Sequence, residues 1–266
     1  MILKITHNTH YQFTMPQVYA LQQLRLRPIN KPGMTILNWQ LSVTGGDQQL
    51  SYKDQHKNQV DLVLVSAGSE TLIIHCEGEV QTDNLFGIMG EYSLHGPTWL
   101  YEYGSSLTYP GPLIKKLARS MRNEAFGDVE LLHNLSSRIL ERVPYRAGLT
   151  NPATSAENAF EIGGGVCQDH THIFISAARL LGYPARYISG YLLTGDRLEQ
   201  NATHAWAEVF LQSLGWVGFD VSNGISPSEA YVPIAVGLDY CDAAPVSGIN
   251  YDGVNEELQV SVEIEQ

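Results

Sequence analysis

Cysteine is scarce in this chain, and its charge is lopsided. Three cysteines, Cys76, Cys167 and Cys241, stand far apart among 266 residues, with no Cys-x-x-Cys pair. An odd, scattered set argues against a disulfide-built fold and fits a reducing compartment. Charged side chains make up 17% of the chain, with 16 basic against 28 acidic and a formal charge of −12. That deficit of basic residues argues against nucleic acid or an anionic membrane as the main partner. No apolar run approaches the roughly 18 residues of a membrane-crossing helix. The opening Met1-Ile2-Leu3-Lys4-Ile5-Thr6-His7-Asn8 lacks the apolar core of a signal peptide, so a cytoplasmic location is expected. Internal repeats and low-complexity stretches are also missing. What is present, 44% hydrophobic residues in a chain of this length, suits a soluble protein with a substantial core.

The first hundred residues read as β. Leu3, Ile5, Tyr11 and Phe13 alternate with Lys4, Thr6, Asn8, His10 and Gln12, the period of two of a half-buried strand. Further strands are expected at Leu24–Arg27, ending at Pro28, and at Ile36–Val43, Gln48–Lys53, Asp61–Ser66 and Glu70–Val80. Short links such as Thr44-Gly45-Gly46-Asp47 and Ala67-Gly68-Ser69 join them. Such spacing predicts a small antiparallel sandwich. The texture changes near Ser105–Gly111. Helices are then expected over Pro110–Arg122 and Asp128–Arg142, where Leu131, Leu132, Leu135, Ile139 and Val143 share a side. The pattern Thr154-Ser155-Ala156-Glu157 reads as a capping box opening a short helix, and Gly163-Gly164-Gly165 ends it. A helix over Cys167–Leu181 follows, stopped by Gly182 and Pro184. Strands return at Ala185–Leu193, His204–Leu211, Trp216–Val221 and Leu258–Ile264. The expectation is an α+β chain with an N-terminal antiparallel β-sandwich over 1–105 and a helix-on-sheet core over 106–266.

Cys167 sits where chemistry is favoured. It opens a helix whose first N–H groups lack partners and whose dipole favours an anion, and the thiolate is the reactive form of cysteine. The preceding glycines allow torsions closed to other residues and a close substrate approach. The Cys167 backbone N–H is a candidate oxyanion donor. His204 and Asp220 follow in chain order as base and orienter. Along a strand, His204, Trp206, Glu208 and Phe210 face one way and Ala205, Ala207, Val209 and Leu211 the other. A hairpin through Gln212-Ser213-Leu214-Gly215 brings His204 and Asp220 onto adjacent strands. With Leu211 opposite Trp216 the pair is out of step, so a bulge at Gly215 or Gly218 is expected. Asp220 would accept the Nδ1 proton of His204. Two plainer readings stand beside this one: a structural cysteine in a tight turn, and a metal site built from Cys167, Asp169, His170 and His172. On a helix His170 and His172 point about 200° apart, and no second ligand pair has structural-zinc spacing.

Four motifs follow in order: Gly-Gly-Gly-Val-Cys-Gln-Asp-His-Thr-His at 163–172, Leu-Gly-Tyr-Pro-Ala-Arg-Tyr-Ile-Ser-Gly-Tyr at 181–191, His-Ala-Trp-Ala-Glu-Val at 204–209, and Gly-Trp-Val-Gly-Phe-Asp-Val-Ser-Asn-Gly at 215–224. Together they resemble the transglutaminase-like superfamily, in its bacterial branch of candidate cysteine proteases with an N-terminal β domain. The segment Val236–Ala243 followed by Pro245–Gly248 resembles the C-terminal part of that branch. The resemblance implies a papain-like core with Cys167 as nucleophile, His204 as general base and Asp220 as orienter. It implies a thiol-dependent peptidase or amidase acting on a peptide or protein amide through a thioester, with no cofactor and no metal. A protein-glutamine transglutaminase with an amine acceptor, and a non-catalytic peptide-binding module of the same fold, remain alternatives. Two positions depart from the pattern: Val221-Ser222 where Pro-Thr is expected, and Leu238 where arginine is expected before Asp239. For a second oxyanion donor the sequence offers Trp99, Tyr101 and Tyr145.

Overall fold

The computed structural model describes residues 1–91, 96–122, 126–194, 199–200, 202–250 and 256–266. Six strands open the chain: β1 (Ile2–Phe13), β2 (Ala20–Leu24), β3 (Met34–Thr44), β4 (Gly46–Lys53), β5 (Gln59–Val65) and β6 (Thr71–Thr82). In β1 the alternation is strict. Leu3, Ile5, His7, Thr9, Tyr11 and Phe13 are buried, while the even positions are exposed or half-buried. β2 ends at Leu24, earlier than expected; beyond it the side chains of Arg25 and Arg27 reach Asp54 and Asp61 at 3.2 and 2.7 Å. A short strand β7 (Ile88–Gly90) and a 3-10 turn (Thr98–Glu102) lead into the helical part.

Four helices follow: α1 (Pro112–Met121), α2 (Asp128–Arg142), α3 (Ala156–Ile162) and α4 (Cys167–Leu181). The expected capping box at α3 is divided differently. Ser155, one residue beyond Thr154, caps α3 by accepting from Asn158 N. Glu157 instead accepts from Leu113 N and Ile114 N at 2.6 and 3.1 Å, capping α1 from outside its own helix. Gly163 closes α3 in the left-handed conformation (φ 75°), which favours glycine. Burial of α4 goes beyond one face, since every residue from Asp169 to Ala178 is buried. The helix lies between α1, α2 and α3 on one side and a sheet on the other. Each fully buried Ile or Phe along it contributes roughly 1.5–3 kcal/mol over an exposed position.

That sheet is built from β8 (Ala185–Leu192), β10 (His204–Leu211), β11 (Gly215–Phe219) and β12 (Tyr231–Gly237) together with β7, in the order β12-β8-β10-β11-β7. The strand β9 spans Glu199–Gln200, and the chain closes with α5 (Tyr240–Ala243), β13 (Val246–Asn250) and β14 (Glu256–Glu265). The faces of β10 are those read from sequence. Ala205, Ala207, Val209 and Leu211 join the core around α4, whereas Trp206 packs with Trp216, Tyr231 and Tyr101 on the opposite face. There Arg186 Nε reaches Glu208 Oε2 at 2.8 Å, with its guanidinium 3.8 Å from the Trp216 ring centroid.

The last two strands return to the first part of the fold. β14 pairs antiparallel with β1 from Lys4↔Glu265 to Phe13↔Glu256, and β13 pairs with β2. The sandwich therefore consists of a sheet ordered β3-β6-β1-β14-β9 facing one ordered β13-β2-β5-β4. Its core holds Leu3, Ile5, Val63, Leu72, Ile74, Val262 and Ile264. The sequence division at residue 105 assigns β13 and β14 to the second unit, whereas in the fold they complete the sheets of the first. Among the described residues no helix is long and apolar enough to cross a membrane.

Candidate active site

Cys167 is the first residue of α4, so its N–H has no acceptor within the helix. The turn before it is held by Asp169, whose Oδ2 accepts from Val166 N at 2.8 Å and from Thr150 Oγ1 at 2.7 Å. This explains Gly165: a Cβ there would meet the Asp169 carboxylate at 2.6–2.9 Å. The space freed by that glycine is thus filled by the cap rather than left for substrate.

β10 and β11 form a regular hairpin, with Leu211 opposite Gly215 and Ala207 opposite Phe219. This register is one residue tighter than expected and needs no bulge between the two strands. Asp220, next after Phe219, falls diagonal to His204 on the same face, within reach of a long side chain. His204 Nε2 donates to Asp220 Oδ2 at 2.7 Å, so the nitrogen facing the carboxylate is Nε2 and not the expected Nδ1. Nδ1 is left for the thiol, and His204 stands within hydrogen-bond reach of Cys167.

Asp220 is fixed from several directions. Its Oδ2 also accepts from Asn223 Nδ2 at 2.7 Å and from Tyr231 Oη at 2.8 Å, and its Oδ1 accepts from Asn223 N at 3.2 Å. Its backbone is tied to Ile225 by bonds of 2.8 and 3.1 Å. Burial works against the carboxylate, but hydrogen bonds from His204, Asn223 and Tyr231 outweigh it and hold Asp220 below its ordinary range. Burial would likewise discharge His204. The hydrogen bonds to Asp220 and Cys167 reverse that and raise its pKa to about 10. The imidazolium is the form this site favours. Sequence reasoning missed Asn223 and Tyr231; the Asn223-Gly224 pair is a turn signal that points to the first.

The other sequence candidates separate. Asp169 is used by the cap. His170 Nε2 donates to the Val143 carbonyl at 2.7 Å, and its Nδ1 accepts from Ser222 Oγ at 2.8 Å. Ser222, one of the two departures from the family pattern, therefore ties the loop after Asp220 to α4. His172 is fully buried and accepts from Tyr240 N at 3.1 Å. Among the described residues no three His, Cys, Asp or Glu side chains gather as a metal site. Leu238 donates its N–H to Asp242 Oδ2 at 3.0 Å and accepts Arg179 Nη2 at 2.9 Å. Of the three oxyanion candidates, Tyr145 lies beside the thiol. Burial, then the Cys167 and Asp169 charges, raise its phenol, and its backbone forms an isolated parallel bridge to Gly165. Tyr101 is buried against Trp216, on the face of the sheet opposite α4, and Trp99 is exposed. Tyr240 also lies close: burial and then the Cys241 and Cys167 sulfurs raise its phenol.

A helix with a cysteine at its N-terminus, packed on an antiparallel sheet that brings a histidine and an aspartate together, defines a cysteine-type enzyme core. Residues 115–221 match the model of the transglutaminase-like superfamily, and residues 3–81 that of the bacterial transglutaminase-like N-terminal region. The chain belongs to the transglutaminase-like superfamily. It is 25% identical over 285 residues to an uncharacterized protein of Mycobacterium leprae, covering 98% of both chains. A second uncharacterized protein, from Mycobacterium tuberculosis, is 37% identical over 147 residues, which span 51% of this chain and 47% of that one. A protein-glutamine gamma-glutamyltransferase of Pseudomonas aeruginosa is 26% identical over 160 residues, 54% of this chain and 24% of the relative. The fold matches the crystal structure of a candidate cysteine protease from Cytophaga hutchinsonii with a TM-score of 0.81. That likeness is 22% in sequence and covers 100% of this chain and 90% of the other.

Proposed function

We propose that this chain is a thiol-dependent acyl-transfer enzyme whose triad is Cys167, His204 and Asp220, and that it hydrolyses a peptide or protein amide. The observation that carries the reading is one imidazole shared between a buried carboxylate, 2.7 Å from Nε2, and the thiol at a helix N-terminus. In the attack-ready pair the Cys167 sulfur carries the negative charge and His204 the proton. The sulfur forms a bond to the amide carbon as the carbonyl π electrons move onto oxygen. The Cys167 N–H donates to that oxyanion, with Tyr145 as the second donor nearest at hand. Collapse breaks the C–N bond, and His204 Nδ1 gives its proton to the departing amine. The thioester is then resolved by water, from which the now neutral His204 takes a proton; Asp220 orients the ring throughout without being protonated.

Water is taken as the acceptor on family resemblance. The likeness to a protein-glutamine gamma-glutamyltransferase supports a second reading, in which a primary amine takes the place of water on a glutamine-derived thioester. The three unbridged cysteines support a cytoplasmic setting.

Iodoacetamide labelling across pH, read by mass spectrometry at each cysteine, tests the triad. Cys167 is expected to alkylate well below the pH that Cys76 and Cys241 need, and His204→Ala to remove that advantage. If Cys167 reacts no faster than an ordinary thiol, the catalytic reading fails. Once the triad stands, a glutamine peptide with and without a fluorescent primary amine separates hydrolysis from amine incorporation.

A further inference from the structure

A cavity of about 290 Å³ opens between the N-terminal sandwich and the loop that leads into His204. Its walls come from both parts of the fold. Tyr11, Leu258 and Val260 stand on β1 and β14, Thr203 immediately precedes His204, and Tyr240 lies near enough to Cys167 to feel a charge on its sulfur. The cavity thus borders the catalytic part through Thr203, next to His204, and through Tyr240, whose N–H reaches His172 of α4 at 3.1 Å. The sheet of β1 and β14, which supplies half of its lining residues, is remote in sequence from the triad.

The lining chemistry is distinctive in a chain with 28 acidic residues. No Asp, Glu, Lys or Arg is among the lining residues. The polar floor is already satisfied: His7 Nδ1 pairs with Tyr191 Oη at 3.0 Å and its Nε2 with Thr9 Oγ1 at 2.8 Å. Both His7 and Thr9 are 1% exposed. With its two nitrogens engaged and burial pressing against the charge, His7 is neutral at physiological pH. An occupant carrying a charge would surrender its water here and meet no counter-charge. An apolar occupant would bury its surface against two tyrosine rings, Pro245, Val246 and the β14 side chains. The volume is near the lower end for ligand pockets, about 300 Å³, and suits one large side chain rather than a whole cofactor.

We infer that this cavity is a side-chain subsite for the acyl-transfer substrate, selecting a large uncharged apolar residue, aromatic or aliphatic, near the amide that meets Cys167. The inference rests on the acyl-transfer reading above. It gives the N-terminal sandwich a role in recognition, because β1 and β14 supply much of the wall.

The test uses the full chain and the probes acetyl-Xaa-Gly chloromethyl ketone, with Xaa as Phe, Leu, Asp or Lys. Each alkylates Cys167 with loss of chloride. Every rate is divided by the iodoacetamide rate of the same protein, which needs no subsite. The Phe and Leu probes should react about tenfold faster than the Asp and Lys probes. Leu258, which is 52% exposed on the rim, allows a change of wall without loss of core. Leu258→Asp should shift the preference toward Lys, and Leu258→Lys toward Asp. Equal normalised rates for all four probes, or an order untouched by both substitutions, would overturn the subsite and leave the triad reading standing. If iodoacetamide itself shows no preference for Cys167, the triad reading fails and the cavity is judged by binding alone. N-acetylphenylalanine amide should then bind the native chain by ligand-observed NMR, more weakly in Leu258→Asp; absence of binding, or equal binding, overturns the subsite.

Discussion

His204 at the start of β10 and His172 within α4 are both withdrawn from water, with side chains 13% and 0% exposed. Burial opposes the charged form of each. At His172 nothing offsets it. Its Nε2 accepts an N–H, its Nδ1 has no hydrogen-bond partner among the described residues, and Arg179 adds a like charge, so its pKa falls to about 3. At His204 a carboxylate and a thiol are aimed at the two ring nitrogens, and the pKa rises to about 10. The two sites show that depth in the fold sets only the baseline, while the neighbouring acceptor sets the sign. A neutral buried histidine shapes the core; a charged one can hold a proton ready for transfer.

The sharpest way to break this contrast is to remove the imidazole. His204→Ala should slow Cys167 alkylation at neutral pH by about a hundredfold, a typical contribution of a positioned acid–base group. A loss no greater than for Cys241 would place the two thiols in one class. Asp220→Asn comes next. With the carboxylate gone, burial dominates, and the pH at which His204 loses its proton should fall from about 10 into the neutral range, read from its ring NMR signals. An unmoved titration would show that Asp220 is not the cause.

The contrast can also be read in stability. His172 is neutral when folded and protonates near 6.5 when unfolded, so the unfolded chain gains the proton first as pH falls. Its contribution should therefore be lost as pH drops through 6.5 toward 3, on the order of 2 kcal/mol or more. His204 has the opposite sign: its contribution is complete below 6.5 and is lost as pH rises toward 10. Thermal melts across pH should decline on both sides, and His172→Gln should flatten the acid side alone. The smallest effect belongs to Tyr231→Phe. Loss of one donor to Asp220 Oδ2 should cost about 1 kcal/mol, or about fivefold in amide turnover, with the melt little changed. A larger loss of folding than of rate would make Tyr231 a packing residue only.

Much of this was legible in the residues. The bounds of α2 and α4 follow from apolar periodicity and from glycine stops, which act locally. The two faces of β10 follow from period two. Strand β12 escaped because Tyr231–Gly237 is buried on both faces and so shows no alternation, and Pro233 interrupts it where the register shifts. The nitrogen that His204 turns to Asp220 depends on a register set by Gly215, one residue from the simplest alignment. Tyr231 could not be linked to Asp220 from sequence, since its place comes from the pairing of β12 with β8 across the sheet. The cap on α1 by Glu157 is likewise a long-range contact that mimics a local motif.

Because β14 lies between β1 and β9, the first sheet remains open along β1 until β14 itself has emerged from the ribosome. The emerging chain can assemble α4, β10 and β11 while β1 still presents an unpaired backbone edge, the kind of surface that recruits other strands. Closure of that edge also secures β9, a few residues before His204. Synthesis of β14 is thus the step that closes the β1 edge and fixes the strand leading toward His204.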